Sequence, residues 1–82
     1  MTNTDQKNFR TSDLYFAAYL QVSGAPFDGT IRETSKRVSF VFKTDLVNID
    51  ELREAWFNKT GRVPAIDYAN AIKNLKSVCH MV

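Results

Sequence analysis

The most reactive side chains in this sequence are a cysteine and a histidine that follow one another near its end. Cys79 and His80 are the single cysteine and the single histidine of the chain. Adjacent side chains on a helix do not face each other, and no third group is spaced to orient the imidazole, so the pair does not fit a catalytic Cys/His arrangement. We therefore predict a small buried thiol at a fraying helix end.

Three acidic residues in a predicted helix suggest either a metal site or a general acid. They are Asp50, Glu51 and Glu54. The positive end of the helix dipole accounts for Asp50 and Glu51, and Glu54 falls on a solvent face. The chain also has no glycine-rich phosphate loop, no His-Glu-x-x-His, no paired cysteines and no nucleophile elbow. We predict that the protein is not an enzyme and has no metal site and no cofactor.

The best candidate for a binding site is a group of basic residues in a predicted β-hairpin. It contains four of the eleven lysines and arginines, namely Arg32, Lys36, Arg37 and Lys43. Their neighbours on that face are threonine, serine and valine without an acid, so the face could hold phosphate groups. It has no exposed aromatic ring for base stacking, which limits the prediction to sequence-independent contact with nucleic acid or a phosphate ligand. The alternative is the ordinary wet face of an antiparallel sheet.

The elements that position these residues are organised around a nine-residue apolar run, Leu14–Val22. At about 100° per residue its apolar side chains point in nearly all directions, which is typical of a buried helix. The run is too short to cross a bilayer, which needs roughly 20 apolar residues. Thr11 or Ser12 as N-cap and Gly24 at the other end place helix 1 at about residues 12–23.

The next segment predicts an antiparallel hairpin over residues 27–43. Val38, Phe40 and Phe42 alternate with polar residues in the period of two of a strand with one buried face. A loop of either two or four residues gives the same pairing, with Ile31 opposite Phe40. The buried face then carries Phe27, Ile31, Val38, Phe40 and Phe42.

Two amphipathic helices complete the chain. Asn48 as N-cap and Glu51 three residues later form a capping box that opens helix 2, and Gly61 ends that helix. Pro64 at the first helical position opens helix 3, which runs to about Cys79. The order α-β-β-α-α predicts an α+β fold with one antiparallel hairpin packed against three helices.

Length and composition limit the class of protein. The chain has 82 residues and a net charge of +2, so we expect one domain without the charge excess typical of a nucleic-acid binder. Residues 1–8 are predicted to be a mobile polar tail and residues 9–82 a single α+β domain. One cysteine and no apolar leader predict a cytoplasmic protein without a membrane segment.

Three features of the predicted fold leave apolar surface without a partner. Helix 1 needs cover on two sides, a lone hairpin has two unpaired edges, and Phe57 projects away from the apolar stripe of helix 2. We therefore predict a homodimer or higher homo-oligomer with Phe16, Leu20 and Phe57 in the contact, acting on another macromolecule. The alternative is that helices 2 and 3 cover helix 1 within one chain.

Several of these motifs occur together in an order that resembles a known family. The order is residues 9–15 (FRTSDLY), residues 37–42 (RVSFVF), Trp56 before Gly61, and residues 63–65 (VPA) leading to residues 68–76 (YANAIKNLK). Across residues 9–76 it resembles a family of small bacterial and bacteriophage domains of unknown function. The resemblance implies a microbial or viral origin, and it supplies no catalytic or binding residue.

Overall fold

The computed structural model of the protein describes residues 8–81, without the side chain of Met81. Its elements are β1 (Asn8–Thr11), α1 (Leu14–Val22), β2 (Phe27–Arg32), β3 (Val38–Lys43), α2 (Ile49–Asn58) and α3 (Ala65–Met81). The three strands form one antiparallel sheet in the order β1-β3-β2. The predicted α+β fold is confirmed, with one more strand than the sequence pattern indicates. Residues 1–7 of the predicted tail lie outside the described residues, and Asn8 begins β1.

The sequence pattern does not predict β1, which is four residues long. In β1, Phe9 pairs with Phe42 and Thr11 pairs with Phe40, so Phe9 lies on the same side of the sheet as the two phenylalanines of β3. A strand this short, with one strongly apolar residue, shows too little alternation to be recognised from sequence. β1 fills one of the two hairpin edges that the predicted fold leaves open.

The pairing between β2 and β3 differs by one residue from the predicted pairing. Ile31 lies opposite Ser39, and Thr30 takes the predicted place of Ile31 opposite Phe40. Because successive residues of a strand point to opposite faces, the shift moves Ile31 off the buried face and leaves it 40 % exposed. The assignment of Ile31 to that face is therefore wrong, whereas Phe40 and Phe42 are buried as predicted.

A β-bulge at the turn accounts for the shift. The carbonyl oxygen of Arg37 accepts hydrogen bonds from the backbone N–H groups of both Glu33 and Thr34, at 2.9 and 3.2 Å. Two residues of one strand thus oppose one residue of the other, which displaces every pair that follows. The turn has no glycine or asparagine to mark its geometry, so the sequence gives no signal for this bulge.

A second bulge returns Phe27 to the predicted face of the sheet, although Phe27 and not the predicted Gly29 lies opposite Phe42. Between the Phe27–Phe42 and Thr30–Phe40 pairs, β2 has two residues where β3 has one. One of the two is Gly29, whose φ of 104° is a conformation that side-chain-bearing residues rarely adopt. Phe27 therefore packs on Phe42 with ring centroids 5.5 Å apart.

The other face of the sheet is less exposed at its centre than the alternation predicts. Ser39 and Val41 lie on it but are only 5 % and 8 % exposed. A salt bridge of 3.5 Å joins Arg10 of β1 to Glu33, which follows β2, and so spans the central strand. Since β3 has a neighbour on each side, side chains from the outer strands can shield its smaller residues from water.

Helix α1 is the centre of the core, and its residues 16–20 are all buried. α3 packs against it. Phe9 of β1 lies against Phe16 with ring centroids 6.1 Å apart, and Trp56 of α2 lies 5.6 Å from the same ring. The chain therefore covers α1 by itself, which is the alternative that the sequence left open.

Side-chain caps fix the beginnings of α1 and α2. The carboxylate of Asp13 accepts hydrogen bonds from the first N–H groups of α1, so the predicted cap at Thr11 or Ser12 is wrong. Asp13 combines the capping oxygen with a favourable charge for the helix dipole. Asn48 caps α2 as predicted and accepts a hydrogen bond from the N–H of Glu51 at 3.2 Å.

Candidate functional site

The three residues predicted to mediate self-association lie in different environments. Phe16 and Leu20 are 6 % and 0 % exposed, inside the core of a single chain, so neither presents surface to a partner. Phe57 of α2 is 73 % exposed. Helical periodicity placed Phe57 outside the stripe of its own helix, but it could not show that the sheet and α3 fill the space around α1.

The four basic residues predicted to share the hairpin face are dispersed. Arg32 lies opposite Val38, on the side of Phe40, and its Nη1 donates to the carbonyls of Thr34 and Ser35 at 3.5 and 3.1 Å. This side chain binds the turn of its own hairpin. The prediction that Arg32 shares the face of the other cations is wrong because the bulge reverses its side of the sheet.

Lys43 is also separated from the turn. It ends β3 and pairs with Asn8 of β1. Arg37 immediately precedes β3, so the length of the strand, about 20 Å, lies between the two cations. Lys36 and Arg37 alone remain close to each other, in the turn.

Two basic residues from α3 join this pair at the turn. A cleft of about 490 Å³ lies between the hairpin turn, the segment before α1 and the last turns of α3. Its polar side chains are Ser12, Lys36, Arg37, Lys76 and His80, and Leu14, Val38, Phe40 and Cys79 complete its lining. We call it the basic cleft. Among the described residues no acidic side chain lines it.

The α3 side of the basic cleft was not predicted from the sequence. α3 continues to Met81, two residues beyond the predicted end at about Cys79, so Cys79 and His80 are both helical. Cys79 is half-buried and packs against the core, while His80 is exposed at the cleft. Lys76 and His80 are four residues apart, a spacing that puts both on one side of a helix. This spacing is visible in the sequence and could have identified the α3 side of the basic cleft.

A larger cleft of about 720 Å³ lies where α1, α2 and the connection from α2 to α3 meet. Its lining residues are Tyr19, Ala55, Trp56, Lys59, Gly61, Arg62, Val63 and Tyr68. We call it the aromatic cleft. Its base is formed by Tyr19 and Trp56, whose ring centroids are 5.3 Å apart at an angle of 38°. None of these residues is a predicted site residue.

The end of α2 shapes one wall of the aromatic cleft. α2 stops at Asn58, earlier than the predicted end at Gly61, and Lys59 closes it in the left-handed conformation with a φ of 63°. The N–H groups of Thr60 and Gly61 both donate to the carbonyl of Ala55, at 2.9 and 3.2 Å. The chain therefore folds back tightly over the last turn of the helix.

Gly61 lies directly on the ring of Tyr19. A Cβ atom at this position would lie 2.4 Å from the Tyr19 hydroxyl and 2.7 Å from its Cζ. Glycine is thus required here for space, because this backbone approaches an aromatic ring more closely than any side chain allows. The contact holds the wall of the aromatic cleft against its base.

Tyr68, in the first turn of α3, completes the opposite wall. Its hydroxyl donates to the backbone carbonyl of Tyr15 at 3.1 Å and so ties α3 to α1. Burial raises the pKa of the Tyr68 hydroxyl above its ordinary value of 10.0, and the nearby charges of Asp13 and of ionised Tyr15 raise it further. The neutral, hydrogen-bonded form is therefore the one that the fold favours.

Among residues 8–81, no three His, Cys, Asp or Glu side chains are grouped so that they could hold a metal ion. The acidic residues singled out in the sequence lie on α2, where Asp50 forms a salt bridge of 2.9 Å with Arg53. The part of the chain that the structure describes contains no helix with the length and apolar character needed to span a membrane.

The fold is that of a small α+β domain with two clefts on its surface. The chain belongs to the family described as Domain of unknown function (DUF5659), whose model matches residues 6–80. The predicted resemblance to a family of small domains of unknown function is thereby confirmed, and a bacterial or phage origin stays a prediction. No curated protein and no solved structure matches the chain.

Proposed function

We propose that the protein is a small, non-catalytic binding and assembly module that self-associates through the outer face of α2. The observation that most supports this proposal is the exposure of Phe57. The other apolar residues of α2 turn towards the core, whereas Phe57 is 73 % exposed. A large aromatic ring held on the outer side of a helix is typical of an interface anchor.

The surroundings of Phe57 suit a contact between two copies of the same surface. Asp50, Arg53 and Glu54 precede Phe57 by seven, four and three residues, so all four side chains share one side of α2. A twofold contact sets the same surface against itself, and it therefore needs both signs of charge on one patch. This patch carries both, around a central apolar ring.

The energetics predict weak association. Burial of two Phe57 side chains contributes about 3–6 kcal/mol, whereas bringing two molecules together costs about 4–15 kcal/mol. We therefore expect a dimer that dissociates on dilution.

Native mass spectrometry and sedimentation velocity over about 5–500 µM test this proposal. We expect multiples of the protomer mass that grow with concentration, and a monomer at every concentration for Phe57→Glu. Leu46→Glu is the matched control, since Leu46 is equally exposed but lies outside α2. A wild-type chain that is monomeric throughout would overturn the proposal. Loss of association in Leu46→Glu alone would overturn the assignment to α2.

A second candidate function is sequence-independent binding of nucleic acid or of a phosphate ligand at the basic cleft. The observation that favours it is the convergence of Lys36 and Arg37 with Lys76 and His80 around one hollow. Basic side chains from separate elements that face one hollow can neutralise an anion together, which isolated surface cations do poorly.

Fluorescence anisotropy with a labelled oligothymidylate of about eight nucleotides tests the second function. We expect Lys76→Ala to weaken binding several-fold and Lys43→Ala to leave it unchanged. Lys43→Ala distinguishes the basic face predicted from the sequence, which includes Lys43, from the basic cleft, because Lys43 lies at the far end of β3. If Lys43→Ala weakens binding and Lys76→Ala does not, the basic cleft is not the site.

A further inference from the structure

We propose that the aromatic cleft binds a small planar anion, a molecule that combines an aromatic ring with one acidic group such as a phosphate or a carboxylate. The proposal does not depend on self-association or on the basic cleft. It involves a different set of residues and depends on the rings, the hydrogen-bond donors, the charge and the volume of the aromatic cleft.

The base of the cleft offers ring surface. Tyr19 and Trp56 lie beside each other, and Trp56 also lies 5.6 Å from Phe16 of the core. Trp56 is half-buried, so the core holds one part of the indole and leaves another open to the cleft. A fixed aromatic surface of this kind stacks on planar rings at little entropic cost.

Two donors at the base have no partner. Among the described residues, neither the hydroxyl of Tyr19 nor the indole N–H of Trp56 makes a hydrogen bond. Tyr19 is only 5 % exposed, and it lines this cleft. Both donors face the solvent-filled cleft, so each can exchange a water molecule for an acceptor atom on a ligand.

The rim carries positive charge that is not neutralised. Lys59 and Arg62 line the cleft, and within residues 8–81 neither forms a salt bridge. No acidic side chain of the described residues lines the cleft. Two unpaired cations next to an aromatic base complement an anion whose ring lies on the base and whose acidic group lies at the rim.

The cleft is preformed and of suitable size. Its volume of about 720 Å³ lies within the range of small-molecule sites. Gly61 packs on the ring of Tyr19 without a gap, and the hydrogen bond from Tyr68 to Tyr15 fixes the opposite wall. A ligand therefore meets walls that are already in place, which reduces the entropy lost on binding.

Trp56 is the single tryptophan of the chain, so its fluorescence reports directly on this cleft. The test titrates the full chain with adenosine 5′-monophosphate and with 2-naphthoate, two sources of the same chemistry, and with their neutral counterparts adenosine and 2-naphthamide. Calorimetry repeats each titration. We expect saturable quenching by at least one acid, with an affinity about tenfold above that of its neutral counterpart. The acid that binds more tightly shows whether the cleft prefers a phosphate or a carboxylate as the acidic group.

Variants locate the binding. We expect Arg62→Ala to lower the affinity about fivefold or more, Arg62→Lys to retain part of it, and Lys73→Ala, which removes an equal charge outside the cleft, to change nothing. Phe57→Glu should bind as the wild type does, so failure of the self-association proposal would leave this result intact. Absence of saturable binding, equal affinity for acid and neutral compound, or equal loss in Lys73→Ala would overturn the proposal.

Discussion

The aromatic cleft and the basic cleft share α1 and α3, but they differ in how their side chains are tied to the fold. The rings of Tyr19 and Trp56 belong to the aromatic cluster around Phe16, so the aromatic cleft is a surface of the core itself. The charged groups of Lys36 and Lys76 are exposed, and neither forms a salt bridge among residues 8–81. We therefore expect shape and ring area to contribute most to binding in the aromatic cleft, and charge to contribute most in the basic cleft.

This difference determines what a substitution does. A change in the aromatic cleft alters folding and binding together, because the same atoms serve both. A change in the basic cleft removes charge and leaves packing intact, since surface lysines contribute little to stability. Five predictions test this comparison, beginning with the largest expected effect.

Leu20→Ala should damage both clefts at once. Leu20 is fully buried in α1, and its truncation leaves a cavity that destabilises the fold by about 2–5 kcal/mol. Urea unfolding followed by circular dichroism measures the loss. Phe57→Ala is the control and should change stability by about 0.5 kcal/mol or less. A comparable loss in both variants would contradict the placement of these residues inside and outside the core.

Gly61→Ala should affect the aromatic cleft alone. The added Cβ would lie 2.4 Å from the Tyr19 hydroxyl, so the wall or the ring must move, at about 1–3 kcal/mol. Urea unfolding measures the cost, and Trp56 fluorescence reports on the local change.

Gly29→Ala tests whether glycine is required at positions 29 and 61 for different reasons. At Gly29 no atom lies within 4 Å of a new Cβ, but the φ of 104° disfavours any side chain. We expect a cost of about 1 kcal/mol without a change in Trp56 emission. If Gly61→Ala left the emission and the stability unchanged, the close approach to Tyr19 would be contradicted.

Salt should separate the two clefts by their dependence on charge. Between about 50 and 300 mM salt, oligothymidylate binding at the basic cleft should weaken about tenfold, because each neutralised phosphate releases counterions. Binding of 2-naphthoate, a singly charged planar anion, at the aromatic cleft should weaken about twofold. Fluorescence anisotropy measures oligothymidylate binding, and Trp56 fluorescence measures binding of the planar anion. Equal salt dependence of the two affinities would contradict the distinction between the clefts.

Alkaline pH should produce the smallest effect, through Tyr68. The folded state raises the pKa of this hydroxyl above 10.0, so the stabilisation is fully present below pH 10 and is lost as the pH rises through the folded value. Urea unfolding between about pH 8 and 11 should show stability falling more steeply for wild type than for Tyr68→Phe. At pH 8 the free energy of unfolding of Tyr68→Phe should be lower by about 0.5 kcal/mol, because the variant lacks the hydrogen bond to Tyr15. Identical slopes would contradict the assignment.

Much of the fold could be predicted from local patterns. The apolar run of α1 indicates a buried helix because no side of it is polar, and the alternation through β3 identifies the buried phenylalanines. The cap at Asn48 follows from hydrogen bonding within a few residues. β1 could not be predicted, because a strand of four residues forms only when a partner strand is already placed beside it.

The candidate sites were less accessible to prediction. The basic cleft joins Lys36 to Lys76, which lie forty residues apart in the chain, so no local spacing could unite them. Lys59 and Arg62 flank Gly61 closely enough to attract notice, but Tyr19 enters the aromatic cleft from another helix. Only the packing of α1 against α2 and α3 brings that ring beneath the two cations.

The sequence by itself determined the class of fold, the position of the buried helix and hairpin, and the exposed position of Phe57, because these depend on periodicity and capping over a few residues. The tertiary structure alone decided which apolar side chains are available to a partner. It enclosed Phe16 and Leu20, and it divided the predicted group of cations by a bulge at the turn and by the length of β3. Both outcomes depend on contacts between distant segments, and one inserted residue in a strand reverses the side on which the following side chains lie until a second insertion restores it.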